Sequence, residues 1–218
     1  MSFASVSFLL FFLVVLLLLL LVQRVLPFAE IKRRIICQGI LLIASYVFYG
    51  WWNMRLCLLL MGITWISFFT AVKKDEKHLR QSRISLLIGV GTPLAVLGIF
   101  KYYDFFVTSF CDVFHLTPGV LNLILPVGIS FYTFQALSYT IDVYTGKIEK
   151  EKSFLQFALY LSFFPQLVAG PIVKASEFLP QLKENRKVTL AGLESGIQIF
   201  VFGMFKNCLL YTSDAADD

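Results

Sequence analysis

Apolar blocks separated by short polar connections run almost the whole length of the chain, near residues 3–22, 35–52, 54–72, 84–103, 126–142, 154–171 and 190–210. Most of them approach the roughly 20 residues that a helix needs to cross about 30 Å of hydrocarbon. The pattern predicts an all-α, polytopic integral membrane protein whose helices are covered by lipid as well as by each other. After Lys101 the pattern changes: "DFFVTSFCDVFHL" places Phe106, Phe110, Val113 and Phe114 on one helical face, which predicts a helix lying along the outer interface and ended by Thr117 to Gly119. The first block has no Lys or Arg ahead of it, exceeds the usual 7–15 apolar residues of a signal sequence and lacks a small-x-small cleavage site, so it is expected to stay as a membrane helix. Residues 1–207 read as the N-terminal part of a single membrane domain. The terminal "YTSDAADD" (211–218) has no apolar period and is expected to be a non-native tail.

Composition sharpens this picture. Of 218 residues 58% are apolar and 15% charged, against about 25% charged in soluble domains. The formal charge of +5 lies in the short loops, a topogenic pattern that points away from nucleic acid. The connection after the first block holds Arg24, Lys32, Arg33 and Arg34, the next only Arg55, and the third Lys73, Lys74, Lys77, Arg80 and Arg83. This alternation predicts a multi-pass membrane protein with its N-terminus outside. It also places "YGWWN" (49–53) at the outer interface, with its aromatic rings as anchors. Two later loops, "KIEKEK" and "KASEFLPQLKENRK", are both basic, yet only the 154–171 block separates them. Either that block enters the membrane and returns, helped by Pro165 and the Gly170-Pro171 pair, or it is a Pro-kinked helix that crosses.

Candidate chemistry is confined to two places. The four cysteines, Cys37, Cys57, Cys111 and Cys208, stand singly with no metal-ligand spacing, and they read as small apolar residues; no bound metal or cofactor is expected. In "LPVGISFYTFQALSYTIDVYTG" a helix from Pro126 to Asp142 sets Gly128, Tyr132, Gln135, Tyr139 and Asp142 within an arc of roughly 80°, opposite Phe134, Leu137 and Ile141. Polar groups at membrane depth usually face a bundle interior or a watery cavity. Tyr132, Gln135 and Tyr139, with Ser130 and Asp142 beside them, are therefore candidates for lining a passage. They serve equally well as bridges between helices, at about 0.6 kcal/mol each, and periodicity leaves both readings open. In "SFFPQLVAGP", Pro165 cannot donate to the carbonyl of Leu161, so carbonyl groups near Gln166 are expected to be free for a ligand, water or a neighbouring helix, and Gln166 joins the candidate list.

These two stretches, with "FGMFK" and the N-terminal "ASYVFYGWW", resemble the membrane-bound O-acyltransferases, in particular the bacterial branch concerned with alginate O-acetylation, from about residue 2 to 206. The resemblance implies helices around a thinned centre pierced by a funnel. It also implies transfer of an acyl group, most simply acetyl, from a cytoplasmic thioester donor toward hydroxyls of an extracellular polysaccharide such as alginate. Either acetyl coenzyme A or an acylated carrier protein is expected as the donor, and an extracytoplasmic acyltransferase or the polysaccharide itself as partners. The family's intramembrane histidine, a general base for the acceptor hydroxyl, matches neither His78, in a loop of cations, nor His115, before Thr117. The expectation is that the catalytic histidine falls beyond this chain and that these residues alone are inactive. Two other classes fit the same stripe and broken helix: a transporter or flippase for a polar or lipid-linked substrate, and a scaffold that docks a partner acyltransferase.

Overall fold

The structure is a computed structural model that describes residues 6–25, 29–51, 53–74, 79–114, 126, 128–167, 170, 172–184 and 190–214. Every regular element among them is a helix: α1 (Val6–Val25), α2 (Glu30–Gly50), α3 (Met54–Val72), α4 (Leu79–Phe114), α5 (Ile129–Tyr144), α6 (Phe154–Ser162), α7 (Phe164–Leu167), α8 (Ala175–Lys183) and α9 (Leu190–Asp214). Three stretches, Val6–Arg24, Met54–Val72 and Arg80–Cys111, are long and apolar enough to cross a membrane. This is an all-α membrane protein.

Two compact units divide the chain. The first holds Met1–Arg34 and Glu184–Asp218. In it Phe12 of α1 stacks on Phe200 of α9, with centroids 6.1 Å apart and rings almost parallel, and Arg33 donates to the carbonyl of Gln23 at 3.1 Å. Much of the apolar surface of α9 is exposed, including Ile197, Ile199, Phe202 and Phe205. The helix continues through Tyr211–Asp214, while 215–218 lie outside the described residues.

The second unit, Ile35–Lys183, contains most of the buried side chains. Helix α3 is its axis, packed on α4, α5 and α6. Asn53 starts α3 by accepting the N–H of Arg55 at 3.0 Å, as N-cap residues do. Small residues let the helices approach: a Cβ on Gly89 of α4 would stand 2.6 Å from Thr70 Oγ1 of α3 and 3.1 Å from Thr140 Cγ2 of α5. That is the close packing that membrane helices use where lipid is as apolar as leucine.

Two boundaries depart from the sequence reading. The interfacial helix expected after residue 103 is the second half of α4, which runs unbroken for 36 residues and about 54 Å. "KYYD" at the expected junction holds no helix breaker, so the amphipathic stretch extends the span, leaving Phe105, Phe106, Phe110, Val113 and Phe114 exposed. The expected stop at 117–119 lies outside the described residues. Helix α5 begins at Ile129 and not at Pro126, because Gly128 adopts a left-handed φ of 75° and ends the preceding chain direction. A side chain there would run into the carbonyl oxygen of Leu167, so glycine is required twice over.

The chain between α5 and the end of α8 closes on itself. The Lys183 ammonium meets the Glu151 carboxylate at 2.7 Å, and Tyr160 of α6 donates to the carbonyl of Val173 at 3.1 Å. Phe178 of α8 packs on both Tyr160 and Phe163. The result is an antiparallel excursion in which α8 returns along α6. At one end of this unit Lys74 donates to the carbonyl of Val143 (2.8 Å) and Lys150 to those of Val72 (3.0 Å) and Lys74 (3.2 Å). These ammonium groups satisfy the last carbonyls of α3 and α5, where cations favour the helix dipole.

Candidate functional site

The polar arc of α5 turns into protein. Tyr132 and Tyr139 are 0% exposed and Gln135 2%, whereas Phe134 and Ile141 on the other side are 46% and 44% exposed. Leu137, expected among the outward residues, is buried as well. Ser130 is half-buried. Asp142 lies toward the basic end with its side chain 17% exposed, 3.7 Å from Lys147. Gln166, on α7, is 8% exposed.

The hydroxyls and amides along this arc have different occupations. Tyr139 accepts the backbone N–H of Glu151 at 2.9 Å. Tyr144 donates to the carbonyl of Thr70 at 2.8 Å and Tyr160 to that of Val173. These phenols fix the start of the α6–α8 excursion and its return against α3 and α5. The helix break is closed in the same way: Phe163 (ψ 109°) leaves helical geometry, and Pro165 sits in the first turn of α7, where a missing N–H costs nothing. The Phe164 N–H then finds Ser45 Oγ at 3.2 Å, and the carbonyl of Tyr160 accepts from Gln166 Nε2 at 3.1 Å. Two of the groups freed by the break are thus taken up by protein side chains.

Tyr132 is different. Its hydroxyl is buried and makes no hydrogen bond, and the same holds for Tyr49 of α2. The two rings meet edge to face with centroids 6.5 Å apart, and each hydroxyl has the other as its polar neighbour, in a contact too poorly aligned for a well-formed hydrogen bond. Tyr49 is a site residue that sequence reasoning misses, since "YGWW" reads as an interfacial belt. Trp51 fits that reading at 66% exposed, but Tyr49 is 3% exposed. Its signal was present in a second stripe, because Gln38, Ser45 and Tyr49 share one face of α2 by their spacing of seven and four and all three are buried. Gln38 ties this face to the end of α8, donating to the carbonyl of Leu182 at 2.8 Å. Glu151 was also unmarked. Only 6% exposed, it accepts the N–H groups of Lys152 (2.9 Å) and Ser153 (3.0 Å) with one oxygen and pairs Lys183 with the other. His78 and His115 lie outside the described residues.

No family model matches the chain and no solved structure matches it. Curated relatives do. A protein of Pseudomonas putida named "probable alginate O-acetylase AlgI" is 37% identical over 177 residues, 78% of this chain and 36% of that protein. Its namesake in Pseudomonas aeruginosa is 36% identical over 183 residues, 81% of this chain and 35% of the relative. A "peptidoglycan O-acetyltransferase" of Helicobacter pylori is 34% identical over 202 residues, covering 80% and 38%. The chain spans little more than a third of the length of these relatives. Identity of this degree over four-fifths of the chain, on an all-helical membrane scaffold with a buried polar arc, agrees with the motif resemblance: the chain belongs to the bacterial O-acetylase branch of the membrane-bound O-acyltransferase family.

Proposed function

We propose that this chain is part of an O-acetyltransferase of a bacterial inner membrane, which passes an acetyl group from a cytoplasmic thioester to hydroxyls of a polysaccharide outside. The observation that carries the reading is the identity, 34–37% over about four-fifths of the chain, to relatives named as alginate O-acetylase or peptidoglycan O-acetyltransferase. Acetyl coenzyme A and an acylated carrier protein both fit as donor, and alginate or a peptidoglycan glycan strand as acceptor. The polysaccharide and an extracytoplasmic acyltransferase are the proposed partners.

Geometry supports the orientation of this reading. Lys73, Lys74, Lys147 and Lys150 gather where α3 and α5 end, and the positive-inside rule makes that end cytoplasmic. The turn between α2 and α3 then faces outside, as does the N-terminus. Segment 151–183 enters and leaves on the cytoplasmic side as a re-entrant hairpin. Tyr132 and Gln135, with Ser130 above them, are proposed to face the substrate path, while Tyr139, Asp142 and Gln166 brace its wall. A dry, hydrogen-bonding path suits acyl transfer because it orients the acceptor and keeps water from the thioester.

The test uses the full-length gene expressed in a host lacking polysaccharide O-acetylation. Ester-linked acetate on alginate or peptidoglycan, rising with expression, is the expected result; none on either polymer ends the proposal. The 218-residue chain alone is expected to give no acetyl transfer above background, since no residue in it is proposed to act as the catalytic base.

A further inference from the structure

Three lysines converge on the last turn of α3. Lys73 caps that helix and is exposed, and Lys74 donates to the carbonyl of Val143 at 2.8 Å. Lys150 donates to the carbonyls of Val72 and Lys74, at 3.0 and 3.2 Å, on either side of Lys73. Two of the three ammonium groups are therefore held in place by neutral backbone groups, which leave their charge uncancelled. The carboxylates nearby have other occupations. Asp142 faces Lys147 at 3.7 Å and Glu151 is held by Lys183 at 2.7 Å, which leaves Glu149, next to Lys150 in the chain. Lys73 makes no ion pair among the described residues.

Such a cluster attracts an anion, and the surface beside it selects which. Lys73 follows Phe69 by four residues and Trp65 by eight, so the three lie along one ridge of α3. Phe69 is 42% and Trp65 57% exposed, with their rings edge to face at 4.8 Å. Both belong to Met54–Val72, a helix long and apolar enough to cross a membrane. Toward the bilayer the cations thus give way, within one turn, to an exposed apolar strip. A soluble phosphate has no use for that strip; a lipid has. The geometry points to a binding site for one anionic phospholipid of the cytoplasmic leaflet, its phosphate on Lys73, Lys74 and Lys150 and an acyl chain along Phe69 and Trp65. Lysine and arginine clusters directly cytoplasmic of a membrane helix recognise anionic headgroups. Here Lys74 and Lys150 fix the place of the phosphate, and the longer reach of the exposed Lys73 closes on it. The inference uses the membrane fold and the orientation given by its basic end, and is independent of acyl transfer.

Full-length protein in a nonionic detergent, titrated with phosphatidylglycerol or with phosphatidylcholine of the same acyl chains, tests this. Phosphatidylglycerol is expected to raise the thermal midpoint by several degrees more than phosphatidylcholine does, because it binds the folded state, and added salt should shrink the difference. Lys73→Gln should weaken phosphatidylglycerol binding about fivefold, the equivalent of about 1 kcal/mol for one lysine near an anionic surface. Its midpoint without lipid should not move. Phe69→Ala should weaken binding with every charge in place, whereas Lys174→Gln, at an exposed lysine outside the cluster, should leave it unaltered. Equal shifts by the two lipids overturn the site, and so does full affinity in Lys73→Gln or in Phe69→Ala. A loss in Lys174→Gln as large as that in Lys73→Gln reduces the effect to diffuse attraction and overturns it as well. An equal shift by soluble glycerol 3-phosphate does the same, by making the cluster a site for free phosphate. None of these readouts needs acetyl transfer, so failure here and failure of the proposed function are separate results.

Discussion

Tyr139 and Tyr132 sit two turns apart on the same face of α5, equally buried, yet only one hydroxyl supports the fold. Tyr139→Phe strands the N–H of Glu151, which is buried with it, and should cost about 1–3 kcal/mol, read as a lower thermal midpoint in detergent. Tyr132→Phe strands no backbone group, only the poorly aligned contact with Tyr49, and should lower that midpoint less than Tyr139→Phe does. Periodicity sets both rings inward but is silent on which hydroxyl is used, because the partners come from a loop twelve residues on and from a different helix. Gly128 is a second residue where the sequence shows the type and the structure the reason. Gly128→Ala meets an unfavourable left-handed conformation worth about 1–2 kcal/mol and also the Leu167 carbonyl. The expected outcome is a sharp loss of folded protein in size-exclusion profiles after extraction, with Gly146→Ala as control: Gly146 shares the positive φ of 78° but has nothing within 4 Å of a new Cβ.

Among the elements, the α6–α7 break was legible in its place and not in its use. Pro165 announces that helical bonding fails near Leu161, and Ser153 heads α6 as its cap. What satisfies the freed groups, Ser45 from α2 and Gln166 from the next turn, depends on packing over 119 residues of separation. At α4 the reverse holds: a change from uniform to amphipathic apolarity suggests a change of element where the helix in fact continues. A helix does not stop because its environment changes; it stops where backbone bonding fails, and α4 runs on through Pro93, which removes one donor, and past the expected junction to Phe114. At this scale Glu151 is the testable joint. Glu151→Ala removes an acceptor from two N–H groups at the head of α6 as well as the partner of Lys183, a loss of about 1–3 kcal/mol. Lys183→Met removes a pairing whose lysine side chain is 56% exposed, and an exposed pairing of this kind is worth at most about 1 kcal/mol. Thermal unfolding of the two variants in one detergent checks the ratio; equal effects would mean that the ion pair, not the capping, holds the excursion.

For the whole molecule, the class was readable because apolar block length is a physical requirement of the bilayer, and the family because two long motifs carry it. The path of 151–183 was not, since two basic loops flanking one apolar block satisfy either a crossing or a return. Length now favours return. Residues 154–167 span at most about 21 Å even as one helix, short of about 30 Å of hydrocarbon, and Glu151 and Lys183 end in contact. Single cysteines at Trp51, Lys147 and Gln181, all exposed, placed in a version of the protein lacking its native cysteines, put this to measurement in spheroplasts. A membrane-impermeant maleimide should label Trp51→Cys directly, and Lys147→Cys and Gln181→Cys only after lysis. Labelling at 181 but not 147 before lysis would mean that 154–171 crosses, and the Glu151–Lys183 pair does not exist in the membrane. Labelling of 147 and 181 but not 51 would keep the hairpin and invert the protein, moving the lysine end outside, against the positive-inside rule.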